Sequence, residues 1–488
     1  MRLVAALIAM SALLGPTSLW ATEFPEAGTH IHWPELIDQG KGRVAPIERG
    51  ILFVPANRSS PDSGAIALSY WRLKRLGGPK PEQPPIFMLD GGPGFQGYDR
   101  NSASWYLDYT EKFREIADVV WVGQRGIGAA YPSTDCPPPK NTTNTWLDPK
   151  FGPAVAEASK TCKSLWQSEG VDIHGLTVQE AAADVEELRK ALGYDQVMLW
   201  GESFGTHWSI AVLRRFPASV ARVVLNSIEG PDHTYDDPAG QLRALERIAA
   251  DAERSPVYAD QVPEGGFLEA MKATIRGAEQ SPILAEHEGR EIRIDSDMLR
   301  SLAFGYLDPP RGVRSEAVWP AGILRWRRGD FAATVEALDR PNQFGDFWRS
   351  ASYFQFDCGS GVSPARLERL KNDPALRYLE DPNIIYHHAC PEWPADSGPA
   401  FRGQFKTSVP ALLVHGDWDL ATPWENALEI KDQFENGTLV RVRRGGHGAI
   451  WDAMEHDPNF ADSVMAFLKG QTNIEIGDVT LPPPDWQL

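Results

Sequence analysis

Short unbroken apolar runs recur along the chain, and their spacing predicts a fold before any single residue does. Ile86 to Leu89, Asp118 to Val122, Val197 to Trp200, Val223 to Leu225, Pro410 to Val414 and Thr438 to Val442 have the length and character of buried strands. Helical patterns fall between them. Thr177-x-x-Glu180 is a capping box, apolar residues follow at Val178, Ala182, Val185, Leu188 and Leu192, and Gly193 closes the helix. Thr206 to Phe216 reads as a second helix stopped by Pro217, and Trp424 to Phe434 as a third ended by Gly437. Nearer the N-terminus, Ile51 to Val54 and Ala65 to Trp71 read as short strands around a turn at 57–64. This alternation predicts an α/β fold, a mostly parallel sheet with helices on both faces.

The rhythm breaks after Glu229. From 232 to 403 there are helical patches (Leu242 to Ala252, Gly266 to Arg276), many Trp and Pro, and no run of buried strands. This span is expected to be an inserted, mainly helical cap domain. The core would then consist of residues 22–231 and 404–488.

Composition narrows the class. The chain has 488 residues, 42% hydrophobic and 23% charged, which is ordinary for a globular protein. Its formal net charge of −18 argues against a nucleic-acid partner. Residues 1–21 read as a secretory signal: Arg2 leads, Leu3 to Leu14 is apolar but too short to span a bilayer, and Gly15-Pro16 breaks the run before Ala21. The expectation is a secreted or periplasmic protein with no membrane anchor, acting as a monomer with no metal and no other cofactor. Cys136, Cys162, Cys358 and Cys390 are an even set in an exported chain, which suggests two disulfides. Three pairings are possible, and pairing between sequence neighbours is the one expected. Zinc is the alternative, without the close C-x-x-C spacing of a structural site. The 17 Trp residues are assigned to packing of the cap rather than to carbohydrate binding.

Chemistry concentrates in four loops. The strand at 197–200 runs into Gly201-Glu202-Ser203-Phe204-Gly205 and then a helix, the context in which G-x-S-x-G is a nucleophile elbow. Asp90-Gly91-Gly92-Pro93-Gly94 follows an earlier strand, where α/β-hydrolases place the second oxyanion donor. A serine nucleophile needs a base and an acid to orient that base, and on this fold they follow in the order Ser, Asp or Glu, His. The loop 415–423 offers Asp419, with Asp417 as its rival, and Gly446-His447-Gly448 offers the base. His415, at a strand end, is expected to serve packing or hydrogen bonding.

Taken together these motifs resemble the prolyl-aminopeptidase and tripeptidyl-aminopeptidase family of exported serine peptidases of the α/β-hydrolase fold, over most of the mature chain. Gly91 to Gly94 matches the family's G-G-P-G, and Gln124-Arg125-Gly126-Ile127-Gly128 its Q-R-G-x-G. Gly416 to Asp419 with Thr422-Pro423 matches G-x-x-D-x-x-T-P, which favours Asp419. Cys358 and Cys390-Pro391-Glu392-Trp393 look like the cysteines of the family's C-terminal region. The resemblance implies a catalytic Ser203, Asp419 and His447, oxyanion donors at the backbone N–H groups of Gly92 and Phe204, and release of N-terminal residues or short peptides through an acyl-enzyme. The chain departs from the family at Asp90, usually His, and Gly123, usually Asp. It also lacks the G-G-E-W whose carboxylate holds the substrate amine in prolyl-specific members. Glu229 and Asp232 stand as candidates for that role, and solvated surface acids are the alternative for both. The substrate would be a short peptide or other small amide or ester, and the alternative function is an exported carboxylic-ester hydrolase using the same triad.

Overall fold

The computed structural model describes residues 24–38, 44–80, 82–94, 110–137, 151–287, 289–303, 315–339, 350–393, 396–471 and 474–486. The expected signal at 1–21 lies outside these residues.

Ten strands form one sheet: β1 His30–Asp38, β2 Val44–Pro55, β3 Ala65–Leu73, β4 Ile86–Leu89, β5 Val119–Val122, β6 Val197–Glu202, β7 Val220–Asn226, β10 Ala411–Gly416, β11 Gly437–Arg443 and β12 Val479–Thr480. Their order is β1-β2-β3-β5-β4-β6-β7-β10-β11-β12. From β5 to β12 all neighbours are parallel, and β1, β2, β3 and β5 pair antiparallel. β4, β5 and β10 are buried at every residue, which is why they read as continuous apolar runs. Successive side chains serve opposite faces. Val197 and Leu199 pack with helices α1 Phe151–Ser168, α2 Val178–Ala191 and α3 Phe204–Arg215. Met198 and Trp200 pack with Ile450, Ala453, Phe460 and Val464, from the helices Ala449–His456 and Pro458–Leu468. Each side chain of this size buried in full is worth about 1.5–3 kcal/mol.

Between β7 and β10 the chain leaves this sheet. The helices Pro238–Glu253, Gly266–Gln280 and Ser315–Arg327 share a separate apolar core with Tyr258, Trp319, Trp326, Trp418 and Trp486. A two-stranded antiparallel hairpin, β8 Ile283–His287 and β9 Arg290–Ile294, belongs to the same region. The helices Ala351–Ser360 and Ile384–Ala389 behave differently: Phe354, Phe356, Ile385 and Trp393 join the core of the main sheet. The insertion therefore consists of an outer part with its own core and an inner part docked on the layer that carries α3.

Disulfides join Cys136 to Cys162 and Cys358 to Cys390, with Cα separations of 5.1 and 5.0 Å. Their sequence separations are 26 and 32 residues, for which loop-closure entropy gives about 3–4 kcal/mol each. The second bond ties the helix Ala351–Ser360 to the end of Ile384–Ala389.

Candidate active site

Ser203 stands between β6 and α3 with φ 56° and ψ −127°, a conformation that non-glycine residues rarely adopt. Its neighbours hold it there. Its N–H donates to the Asn226 carbonyl at 3.0 Å, and its carbonyl accepts from the N–H and hydroxyl of Thr206 at 2.8 and 2.7 Å. The elbow also needs the second glycine of its motif. A Cβ on Gly205 would lie 1.9 Å from the Leu89 carbonyl oxygen, so α3 can cross the end of β4 only with hydrogen there. Phe204 opens α3, so its N–H is among those at a helix start with no intrahelical acceptor.

The loops after β10 and β11 bring Asp419 and His447 together. His447 Nδ1 donates to the two Asp419 carboxylate oxygens at 3.0 and 3.1 Å, which leaves Nε2 as the basic nitrogen. Asp419 is fully buried and accepts further hydrogen bonds from Ala421 N, Thr422 N and Thr422 Oγ1. Burial would raise its carboxyl, but the His447 charge and these donors hold it down at about 2. Desolvation would lower His447, whose side chain is still 38% exposed, and the Asp419 carboxylate, with Glu202 and Asp236 behind it, pushes it up to about 9. Asp417 points elsewhere: its carboxylate takes Arg441 Nε at 2.9 Å and Arg444 N at 2.7 Å. His415 is buried, accepting from Ile228 N at Nδ1 and donating to the Thr422 carbonyl at 2.6 Å, and so braces the Asp419 loop.

The base loop is tied to the elbow. Gly448 N donates to Ser227 Oγ at 2.9 Å, and Trp451 Nε1 donates to Glu202 at 2.7 Å. Among the described residues, the side chain of His447 bonds to Asp419 and, at 3.5 Å, to Thr422.

The family profile of the alpha/beta hydrolase fold matches residues 84–453, most of the chain and all of these loops. The chain belongs to the α/β-hydrolase family. Its relatives include the tripeptidyl aminopeptidase of Streptomyces lividans, 22% identical over 472 residues, covering 90% of this chain and 84% of the relative. The proline iminopeptidase of Neisseria gonorrhoeae is 21% identical over 396 residues, 79% of this chain and 87% of that one. Among solved structures, a proline iminopeptidase-related protein of Thermus thermophilus has 17% identity and a TM-score of 0.36, covering 87% of this chain and 99% of that one.

Beside the Asp–His pair this α/β-hydrolase carries a second group of acids. Glu229, Asp236 and Asp357 are all raised above the usual carboxylate range. Burial first, then the carboxylates of Asp357 and Asp236, lift Glu229 well above the usual range. Asp357 is lifted in the same way, and Asp236 is pushed up to about 7 by burial and by Asp419. Asp357 accepts from Tyr386 Oη at 2.9 Å, and Glu229 lies 3.6 Å from His207, whose own ionisation burial lowers to about 4. Among the described residues no lysine or arginine pairs with any of the three carboxylates.

Of the two acids singled out from sequence, Glu229 is in this group. Asp232 is not free for it, because its two carboxylate oxygens take the N–H and hydroxyl of Ser363, at 2.5 and 2.6 Å. Asp236 and Asp357 were missed. The available signal for Asp357 was position: it precedes Cys358, and its partner Tyr386 lies four residues before Cys390, so the disulfide joins the two helices that carry this pair. Among the described residues no cluster of His, Cys, Asp and Glu is set to hold a metal ion, and no helix is long and apolar enough to cross a membrane.

Proposed function

We propose that the protein is an exported serine hydrolase that removes N-terminal residues or short peptides from small peptides, with Ser203 as nucleophile, His447 as base and Asp419 as the orienting acid. The observation that carries this reading is the group Glu229, Asp236 and Asp357 beside the Asp419–His447 pair, two buried carboxylates and one half-buried with no lysine or arginine paired to them among the described residues. A peptide's N-terminal ammonium is the cation that would relieve their repulsion. The names of the relatives, tripeptidyl aminopeptidase and proline iminopeptidase, support the same substrate class, and the two disulfides fit export.

The mechanism follows from these roles. His447 Nε2 takes the Ser203 proton as Oγ attacks the scissile carbonyl, and the N–H groups of Gly92 and Phe204 receive the developing oxyanion. Collapse returns the proton to the leaving amine, and water then releases the acyl group. The residues 232–403 act as a cap. This cap supplies Asp236 and Asp357, so the substrate's amino end lies under it and folded proteins are excluded.

The test compares one short peptide amide, free and N-acetylated, at a pH where the amine is charged. Losing a charge-assisted contact costs about 1.5–3 kcal/mol, so acetylation is expected to lower kcat/KM by roughly 10- to 150-fold. Equal rates would remove the aminopeptidase reading, and efficient ester hydrolysis with no amide turnover would replace it by an esterase.

A further inference from the structure

Gln124 follows β5 and is 1% exposed. Its amide spans the glycine loop after β4. Oε1 accepts from Gly94 N at 2.9 Å, and Nε2 donates to the Gly91 carbonyl at 2.9 Å and the Asp90 carbonyl at 3.4 Å. The partners fix the amide's orientation, since an N–H can meet only the oxygen and carbonyls only the NH2. The three contacts bracket Gly92 from both sides. The loop they hold lies on the nucleophile, because a Cβ on Gly91 would stand 3.0 Å from Ser203 Cβ and 3.2 Å from the Glu202 carbonyl oxygen.

The clamp itself is anchored by its neighbour. Arg125 is fully buried and donates to Asp184 at 2.8 and 2.5 Å and to the Ala56 and Gly175 carbonyls at 2.8 and 2.6 Å. Asp184 sits on α2 and also takes Arg58 at 2.8 Å, so the backbone that carries Gln124 is fixed to the helical layer by charge-assisted bonds. An oxyanion donor acts only within a narrow range, about 2.7–3.1 Å from the developing charge. Gly91, Gly92 and Gly94 bring no side chains to hold such a tolerance.

We propose that Gln124 is a positioning residue for the oxyanion hole, its side-chain amide setting the Gly92 N–H against the carbonyl that Ser203 attacks. The inference rests on the serine-hydrolase reading above. It assigns a function to the Gln124–Gly128 motif, and the work of the clamp appears in the transition state rather than in substrate binding.

The experiment uses the full-length enzyme with Gln124→Glu and Gln124→Met. Glu keeps the shape and the acceptor for Gly94 but sets a carboxylate against two carbonyls. Met keeps the volume and removes all three contacts. Removing one oxyanion donor outright costs about 10²–10³ in kcat. Each variant is expected to lose about 10- to 100-fold in kcat, with KM within about threefold. Affinity for a peptide boronic acid, a mimic of the tetrahedral state, should fall in proportion to kcat/KM. Melting temperatures identify variants that fail to fold, and Gln124→Asn, an amide drawn back by one methylene, serves if both do. A folded variant with wild-type kcat, or one that loses kcat while binding the boronate as tightly as wild type, overturns the proposal. Activity that survives Ser203→Ala would instead overturn the serine-hydrolase reading itself.

Discussion

Ser203→Ala is expected to lower turnover by about 10⁴- to 10⁶-fold while leaving the protein folded and substrate affinity little changed. The size of the loss follows from chemistry and not from packing. The hydroxyl forms the acyl bond, and alanine removes it without disturbing the elbow, whose backbone bonds to Asn226 and Thr206 do not involve the side chain of residue 203. A small cost or gain in stability is expected, because the positive φ at this position strains any residue with a Cβ. Steady-state kinetics on a chromogenic peptide amide, with a melting curve on the same sample, measures both. Near-normal turnover would remove Ser203 from the mechanism.

The second large effect is expected at Asp419. Asparagine in its place keeps the size but can present an NH2 group to His447 Nδ1. The imidazole then turns its proton toward Nε2, the nitrogen that must act as base, and a change of this kind costs about 10⁴ in kcat. A pH profile adds a signature. His447 must be neutral to accept the Ser203 proton, and with its pKa pushed up to about 9, wild-type kcat/KM on an N-acetylated peptide amide, which has no amine to titrate, should rise with pH until about 9. Without the Asp419 charge, the residual activity of Asp419→Asn should level off at lower pH, toward the ordinary histidine value of about 6.5. Asp417→Asn is the control. It loosens Arg441 and Arg444 but should leave the limb where it is. A shift caused by Asp417→Asn and absent in Asp419→Asn would reverse the assignment.

What sequence could show follows from how locally each feature is encoded. The elbow was legible because a buried strand, two glycines and a helix stop lie within about 20 residues of one another. The same holds for α2, where the Thr177 hydroxyl accepts from Glu180 N as the capping box requires. Asp417 and Asp419 lie two residues apart in one loop, and what separates them is distant: Arg441 and Arg444 for one, His447 for the other. Motif resemblance favoured Asp419; composition and spacing could not show those partners.

Other features were hidden for physical reasons. β1 is an edge strand with Leu36 70% exposed and Pro34 in its middle, so its burial pattern is weak. The helix Phe151–Ser168 carries Pro153 in its first turn, which in sequence reads as a helix breaker. Proline at the third position of a helix costs no hydrogen bond, because the first four N–H groups have no intrahelical partner. Glu229 and Asp236 lie in the loop between β7 and the helix Pro238–Glu253, and Asp357 comes from the helix Ala351–Ser360, more than 100 residues on. Glu229 was singled out at the entry to the insertion, but its grouping with Asp357 exists only after the insertion has docked, so the local sequence could not show it.

The central claim is that a single serine, raised on the turn between β6 and α3, is the nucleophile. The most direct measurement is reaction of the native enzyme with a fluorophosphonate, followed by peptide mapping of the adduct by mass spectrometry. The account predicts one phosphonyl group per chain, on Ser203, with loss of activity in step with labelling. An adduct on another residue, or complete labelling of Ser203 with activity retained, would contradict it.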